Sequence, residues 1–276
     1  MKIGIVGLGL IGGSLGLSLK NEKLISCVSG MDLSKEHEKQ AIELGLVHEI
    51  LTLEQMKQKC DMIFLAIPVE AIIKIVKEFE GIGKNTTIVD LGSTKQKIIE
   101  AVPESIRQNF IPAHPMAGTE YSGPTAAFSG LFKDAVVAIC DFKESGEIHV
   151  KRSVELFSHL GMKIIFMSAA EHDHHASVIS HLPHAISFSL ASSVLKKENK
   201  KNIIALSGTG FNGMIRIAKS SPVMWTDIFK QNKQNLINSI DLFKKELDEC
   251  ENLIKNEKWD ELREWMGEAR KIREIL

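Results

Sequence analysis

The feature that most constrains this chain is its first twelve residues. Ile3-Gly4-Ile5-Val6 is an apolar, β-prone run that passes directly into Gly7-Leu8-Gly9-Leu10-Ile11-Gly12 and then into an apolar helical stretch. A strand ending in G-x-G-x-x-G and opening a helix is a phosphate-binding device. The first glycine allows a tight turn, the second lets the backbone approach a pyrophosphate, and the third lets helix and strand pack closely. The helix N-terminus adds unpaired N–H groups and a positive dipole end. Asp32 follows Gly12 by 20 residues, at the end of the next strand-like run, where a carboxylate binds the adenine ribose hydroxyls. Its charge repels a 2′-phosphate, so the pattern favours NAD over NADP; Lys35 softens that repulsion, and no arginine directly follows the aspartate. The charge-free stretch 3–19 superficially resembles a secretory leader, but its six glycines spoil an apolar helix core.

Up to residue 167, short β-branched runs alternate with helical periodicity. The strands are expected at 2–6, 26–31, 61–67, 87–91, 109–111, 135–140 and 163–167, with amphipathic helices at 35–44, 69–79, 95–106 and 150–160. Apolar strands separated by helices imply β-α-β crossovers and a mostly parallel sheet covered on both faces. Beyond Ala169 the pattern becomes helical, with segments expected at 169–197, 202–219, 222–254 and 257–275. Apolar residues on more than one face of these helices, Ile228, Phe229, Leu236, Ile237, Ile240 and Leu247 among them, call for partners beyond one chain. The expected plan is therefore an α/β dinucleotide-binding domain over residues 1–167, then an all-helical domain over 168–276 that binds substrate and dimerises.

Composition narrows the partners. With 34 Lys plus Arg against 35 Asp plus Glu, no global field exists to hold a polyanion, so nucleic acid is not an expected partner. No stretch beyond the N-terminal one reads as long and apolar enough to span a bilayer, and no membrane partner is expected. The four cysteines contain no C-x-x-C pair, and a chain of 276 residues needs no disulfides for its core; they read as reduced thiols in the cytoplasm.

The remaining chemistry clusters in a few segments. Ligands of a parallel sheet lie beyond the carboxyl ends of its strands. Ile67 and Pro68 at the end of one strand and Ser93 after another accordingly join the expected cofactor set. Ser93, in Gly92-Ser93-Thr94-Lys95, is either a donor to substrate or nicotinamide, or a helix cap. His114 stands between Pro112 and Pro115 on an expected loop. A neutral imidazole there can take the proton of a substrate hydroxyl as hydride departs, unless the residue is simply an exposed loop histidine. Activity would then rise with pH through an ionisation near the ordinary histidine value of about 6.5. Five of the ten histidines lie between His172 and His184. Their spacing, with Pro183 interrupting, suits a polar pocket better than a metal site, and no metal is expected. Arg216, in an apolar helical neighbourhood, needs an anionic partner, either a protein carboxylate or a ligand.

Taken together, these motifs resemble the prephenate/arogenate dehydrogenase family of tyrosine biosynthesis. The marks are the glycine fingerprint, Gly-Ser-x-Lys at 92–95, His-Pro-Met-Ala-Gly-x-Glu at 114–120, Ser-His-Leu-Pro-His at 180–184, and Arg216-Ile217-Ala218 followed by Met224-Trp225. The resemblance implies a Rossmann domain, a helical dimerisation domain, NAD as cofactor and a homodimer. It implies oxidative decarboxylation of prephenate to 4-hydroxyphenylpyruvate, with arogenate as the alternative substrate and a β-hydroxyacid dehydrogenase as a more distant alternative. By the same resemblance His114 is the catalytic base, with Ser93 bonded to it and to the substrate hydroxyl. Arg216 binds a substrate carboxylate; Ser180, His181, His184 and Thr119 line the pocket; and Glu120 and Trp225 stand at its entrance. Gly213 occupies a position where the family commonly has an acidic residue, which puts an ionic gate involving Glu120 and Arg216 in question. The length leaves no room for a separate regulatory domain, so tyrosine inhibition, if it occurs, is expected at the active site.

Overall fold

In the computed structural model, which describes residues 1–20 and 22–275, eight strands form one sheet. They are β1 (Lys2–Val6), β2 (Cys27–Met31), β3 (Glu49–Ile50), β4 (Met62–Leu65), β5 (Thr87–Asp90), β6 (Phe110–Pro115), β7 (Val136–Cys140) and β8 (Lys163–Met167), in spatial order β3-β2-β1-β4-β5-β6-β7-β8. Every pairing from β3 through β6 is parallel, β6 meets β7 antiparallel, and β7 pairs parallel with β8. The carboxyl ends of β1, β4, β5 and β6 therefore share one edge. Alternation along the strands separates two apolar layers: Ile5, Phe64, Val89 and Ile111 pack on one face, and Ile63, Leu65, Ile88 and Phe110 on the other.

The covering helices are α1 (Leu10–Leu19), α2 (Lys35–Glu43), α3 (Leu53–Lys59), α4 (Val69–Ile75), α5 (Gln96–Ala101) and α6 (Glu147–His159). Two strand expectations change. The two-residue β3 carries too little sequence for a periodic signal. The strand expected to end at Ile111 continues through Pro115, so His114 sits in a strand rather than on a loop. The extension works because β6 changes partner midway: Phe110–Pro112 align with β5, and Ala113–Pro115 with β7, where His114 faces Ala138. The prolines fall at the last register positions of each pairing, where a missing N–H costs the ladder least.

The helical segments that follow are α7 (Ala169–Ala176), a π-helical turn at Ser177–His181, α8 (Leu182–Lys197), α9 (Lys200–Leu206), α10 (Thr209–Ile215) and α11 (Pro222–Gln231). At the π turn the Leu182 N–H reaches back five residues to the Ser177 carbonyl, just ahead of Pro183. Local widening is a common way for a helix to absorb a proline. By length and composition the helical run 169–197 is apolar enough to cross a membrane, and most of its apolar part is not buried within the chain. This corrects the sequence expectation that no such stretch follows the N-terminal one. The helix expected over 222–254 is broken at Asn232, whose side-chain amide donates to the Asp173 carbonyl (2.6 Å).

The chain divides into two compact units, Met1–Asn232 and Lys233–Leu276. Within the second, α12 (Lys233–Lys255) and α13 (Trp259–Ala269) form a hairpin turned at Glu257, which adopts φ +53°. The Trp265 indole N–H donates to Glu246 Oε2 across it (3.3 Å).

Candidate active site

The glycine loop has the shape its motif demands. Gly7 has φ +93°, and a Cβ there would come within 2.4 Å of the Ala66 carbonyl and 2.6 Å of the Ile67 side chain. A Cβ on Gly12 would lie 1.9 Å from the Gly7 carbonyl, so helix and strand touch backbone to backbone. Gly9 is the opposite case: its Cβ would meet nothing within 4 Å. It precedes the first turn of α1, which has no side-chain cap, leaving open space before free N–H groups. Asp32 accepts hydrogen bonds from the Leu8 N–H (2.8 Å) and the Ser34 N–H (2.9 Å), which fix its carboxylate against the same loop. Pro68 caps α4, whose second-residue N–H, from Glu70, donates to Asp227 Oδ2 on α11 (3.0 Å). Open space at Gly9, free N–H groups and a fixed carboxylate together fit a dinucleotide.

On the same edge, β6 presents half-buried His114. Its Nδ1 lies 2.8 Å from Nε2 of buried His172, and His172 Nδ1 lies 2.8 Å from Asp173 Oδ1. Asp173 in turn accepts from the N–H groups of Lys95 (2.8 Å) and Gln96 (3.0 Å) at the start of α5. The helix-cap role open to Ser93 is thus taken by Asp173, and Ser93 lies half-buried in the bend before α5. Among the described residues no hydrogen bond joins Ser93 to His114. Fully buried Lys95 donates to Asp90 Oδ1 (2.5 Å) and to the carbonyl of Ala113, the neighbour of His114 (2.7 Å).

Burial holds the His114 imidazole well below the ordinary histidine range, and its neighbours His172, Lys95 and His181, which would repel a positive charge placed on it, push the same way. The ionisation expected near 6.5 is displaced downward accordingly. Burial works against the charge of Asp173, but the bond from His172 and the N–H groups of Gln96 and Lys95 together outweigh it and keep the carboxyl below its usual range.

The other histidines come from the π turn and the first turn of α8. His181 is buried, and its Nδ1 accepts from the Asn232 amide (3.2 Å), which places its proton on Nε2; burial brings it down to about 4. His184 Nδ1 donates to the Ser180 carbonyl (2.9 Å), and its ring stacks on Trp225 with centroids 3.5 Å apart. Trp225, expected at an entrance, is 6% exposed, and its indole N–H is buried with no acceptor among the described residues. Arg216 is exposed and donates to Glu120 Oε2 (3.3 Å), so that pair forms without an acidic residue at 213. The loop carrying Thr119 and Glu120 borders an open cleft of about 560 Å³, lined by Glu120, Tyr121, Ser122, Thr125 and Ala126. No group of three or more His, Cys, Asp or Glu positioned to hold a metal ion occurs among the described residues.

Sequence reasoning assigned no role to Asp90, Lys95, His172, Asp173 or Asn232. The available signal was the His172-Asp173 pair just inside a capped helix start; Lys95, among Ser93, Thr94, Gln96 and Lys97, carried none.

A glycine loop, a carboxylate fixed against it and a histidine on the same sheet edge are the parts of an NAD-dependent oxidoreductase. Residues 15–166 match the family model "Prephenate dehydrogenase, nucleotide-binding domain", and residues 168–268 match "Prephenate dehydrogenase, dimerization domain". The chain belongs to the prephenate dehydrogenase family. It is 32% identical to prephenate dehydrogenase of Bacillus subtilis over 99% of this chain and 75% of that one. It is 31% identical to cyclohexadienyl dehydrogenase of Zymomonas mobilis over 99% and 95% of the two chains. A crystal structure of prephenate dehydrogenase from A. aeolicus with hydroxyphenyl propionate and NAD+ superimposes with a TM-score of 0.91 at 31% identity, covering 99% of this chain and 97% of that one.

Proposed function

We propose that this chain oxidises prephenate with NAD, releasing carbon dioxide and 4-hydroxyphenylpyruvate, and that His114 is the base. The observation that carries this reading is a neutral imidazole mounted in the sheet on the same edge as the glycine loop. Bound NAD supplies the hydride acceptor. Gly7, Leu8, Gly9, Leu10, Ile11 and Gly12 hold its pyrophosphate, Asp32 its ribose, and Ile67, Pro68 and Ser93 border the nicotinamide. His114 takes the ring hydroxyl proton on Nε2, the nitrogen not engaged by His172. Aromatisation of the ring then drives loss of the carboxylate, so the protein's task is alignment and one proton acceptor.

Arg216 binds a substrate carboxylate once it leaves Glu120. His181, with its proton on Nε2, Ser180, His184, Thr119 and the unpaired Trp225 N–H line the side-chain end of the pocket. The A. aeolicus ligand, with a ring hydroxyl and a chain carboxylate, supports this polarity. Residues 1–167 form the cofactor domain, and residues 168–276 the substrate and dimerisation domain. A second copy covers the apolar residues left exposed on the helices, such as Leu195, Ile204, Leu206 and Val223, making a homodimer. The run 169–197 faces that partner rather than lipid, since it also carries His172, Asp173 and His181 in buried hydrogen bonds. Four free thiols suit the cytoplasm.

The test is NADH formation with prephenate and arogenate supplied separately. Turnover with prephenate is the expected result, and turnover with arogenate alone moves the assignment to that substrate. His114→Asn is expected to bind NAD normally and lose turnover by about 10²- to 10⁴-fold. Near-normal turnover in that variant removes His114 from the mechanism.

A further inference from the structure

We infer that His172 and Asp173 form a proton relay behind His114: together they set its tautomer, and His172 takes up its Nδ1 proton as its Nε2 removes one from substrate. This deepens the reading of His114 as the base and rests on it.

The argument runs through donors and acceptors. Asp173 is acceptor-only when ionised and already receives two backbone N–H groups. The 2.8 Å contact with His172 Nδ1 is therefore an N–H donated by the histidine. A neutral His172 with its proton on Nδ1 offers a bare Nε2. That atom lies 2.8 Å from His114 Nδ1, so His114 donates there and carries its own proton on Nδ1. The lone pair of His114 is then on Nε2, the only state in which it can accept a hydroxyl proton. The tautomer of the base is thus fixed by a carboxylate two residues removed from it in the chain of bonds.

The same chain can move charge. When the hydroxyl proton binds His114 Nε2, the Nδ1 proton can cross to His172 Nε2. The positive charge then rests on His172, hydrogen-bonded to Asp173, instead of on His114 beside Lys95 and His181. One proton enters the relay and one shifts along it; no proton is lost or created. His172 and Asp173 touch neither substrate nor cofactor in this scheme and act as positioning residues.

Three readouts test it. In the NAD-free wild type, nitrogen-15 spectra of the imidazoles at neutral pH are expected to place the His114 proton on Nδ1; a proton on Nε2 overturns the proposal without any variant. His172→Gln is expected to reduce kcat by about 100-fold while KM for prephenate and Kd for NAD stay within about threefold; a kcat within about threefold of wild type overturns it. Solvent-isotope proton inventories distinguish the relay from a packing role. Two protons in flight in the wild type and one in His172→Gln support it, and equal counts refute it. If His114→Asn itself retains turnover, the base assignment fails first, an outcome separate from failure of the relay alone.

Discussion

Two ion pairs bracket the candidate site, and they are built for different purposes. Asp90 and Lys95 are fully buried, with Lys95 bridging a carboxylate and the Ala113 carbonyl beside the base. Arg216 and Glu120 meet at 3.3 Å with the arginine side chain 57% exposed. Separating the first pair strands a charge in the core, whereas separating the second returns two charges to water at little cost. The buried pair is a mount, and the exposed pair is free to part, as the proposed binding of a substrate carboxylate by Arg216 requires.

The largest effect that sharpens this contrast is Lys95→Met. It leaves Asp90 buried without its cation, and equilibrium urea unfolding is expected to report a loss of about 3–5 kcal/mol. A loss below about 1 kcal/mol would place this pair in the same class as the exposed one.

Acid comes next. His181 sits at about 4 in the folded state against an unfolded value of about 6.5. Between those values the unfolded chain binds more protons, so stability is fully present above pH 6.5 and drains away as pH falls toward 4. The gap corresponds to on the order of 3 kcal/mol. Thermal melts across that range should show the decline, and His181→Gln should make it shallower while the part owed to His114 remains.

The smallest effect belongs to Glu120→Gln, expected to change stability by less than about 1 kcal/mol. It should nonetheless alter KM for prephenate, because Arg216 no longer has to leave a competing carboxylate. A stability loss as large as that of Lys95→Met would break the distinction between the two pairs.

The cofactor edge was legible in the sequence because its parts are neighbours in the chain. Gly7 to Gly12 are contiguous, and Asp32 follows at the spacing one crossover requires. The support of His114 was not. His172 joins it across 58 positions, and Asp173 reaches Lys95 across 78. The His172–His184 cluster drew attention as histidine density, read as the lining of a polar pocket in preference to a metal site, with no individual role for His172. What decided its use was the approach of α7 to the start of α5, which no local pattern encodes. The strand position of His114 was obscured by its flanking prolines, ordinarily a mark against a sheet interior. The change of pairing partner within β6 removes that objection.

The carboxylate of Asp173 at the first turn of α5 also bears on modularity. A nucleotide-binding half borrowed from this chain by cutting at residue 167 would start α5 with two N–H groups bare and leave His114 without its hydrogen-bond partner His172. The compact unit that holds them continues to Asn232. A chimaera maker who treats the cofactor half as a cassette would therefore inherit the dinucleotide fingerprint without the support of its base.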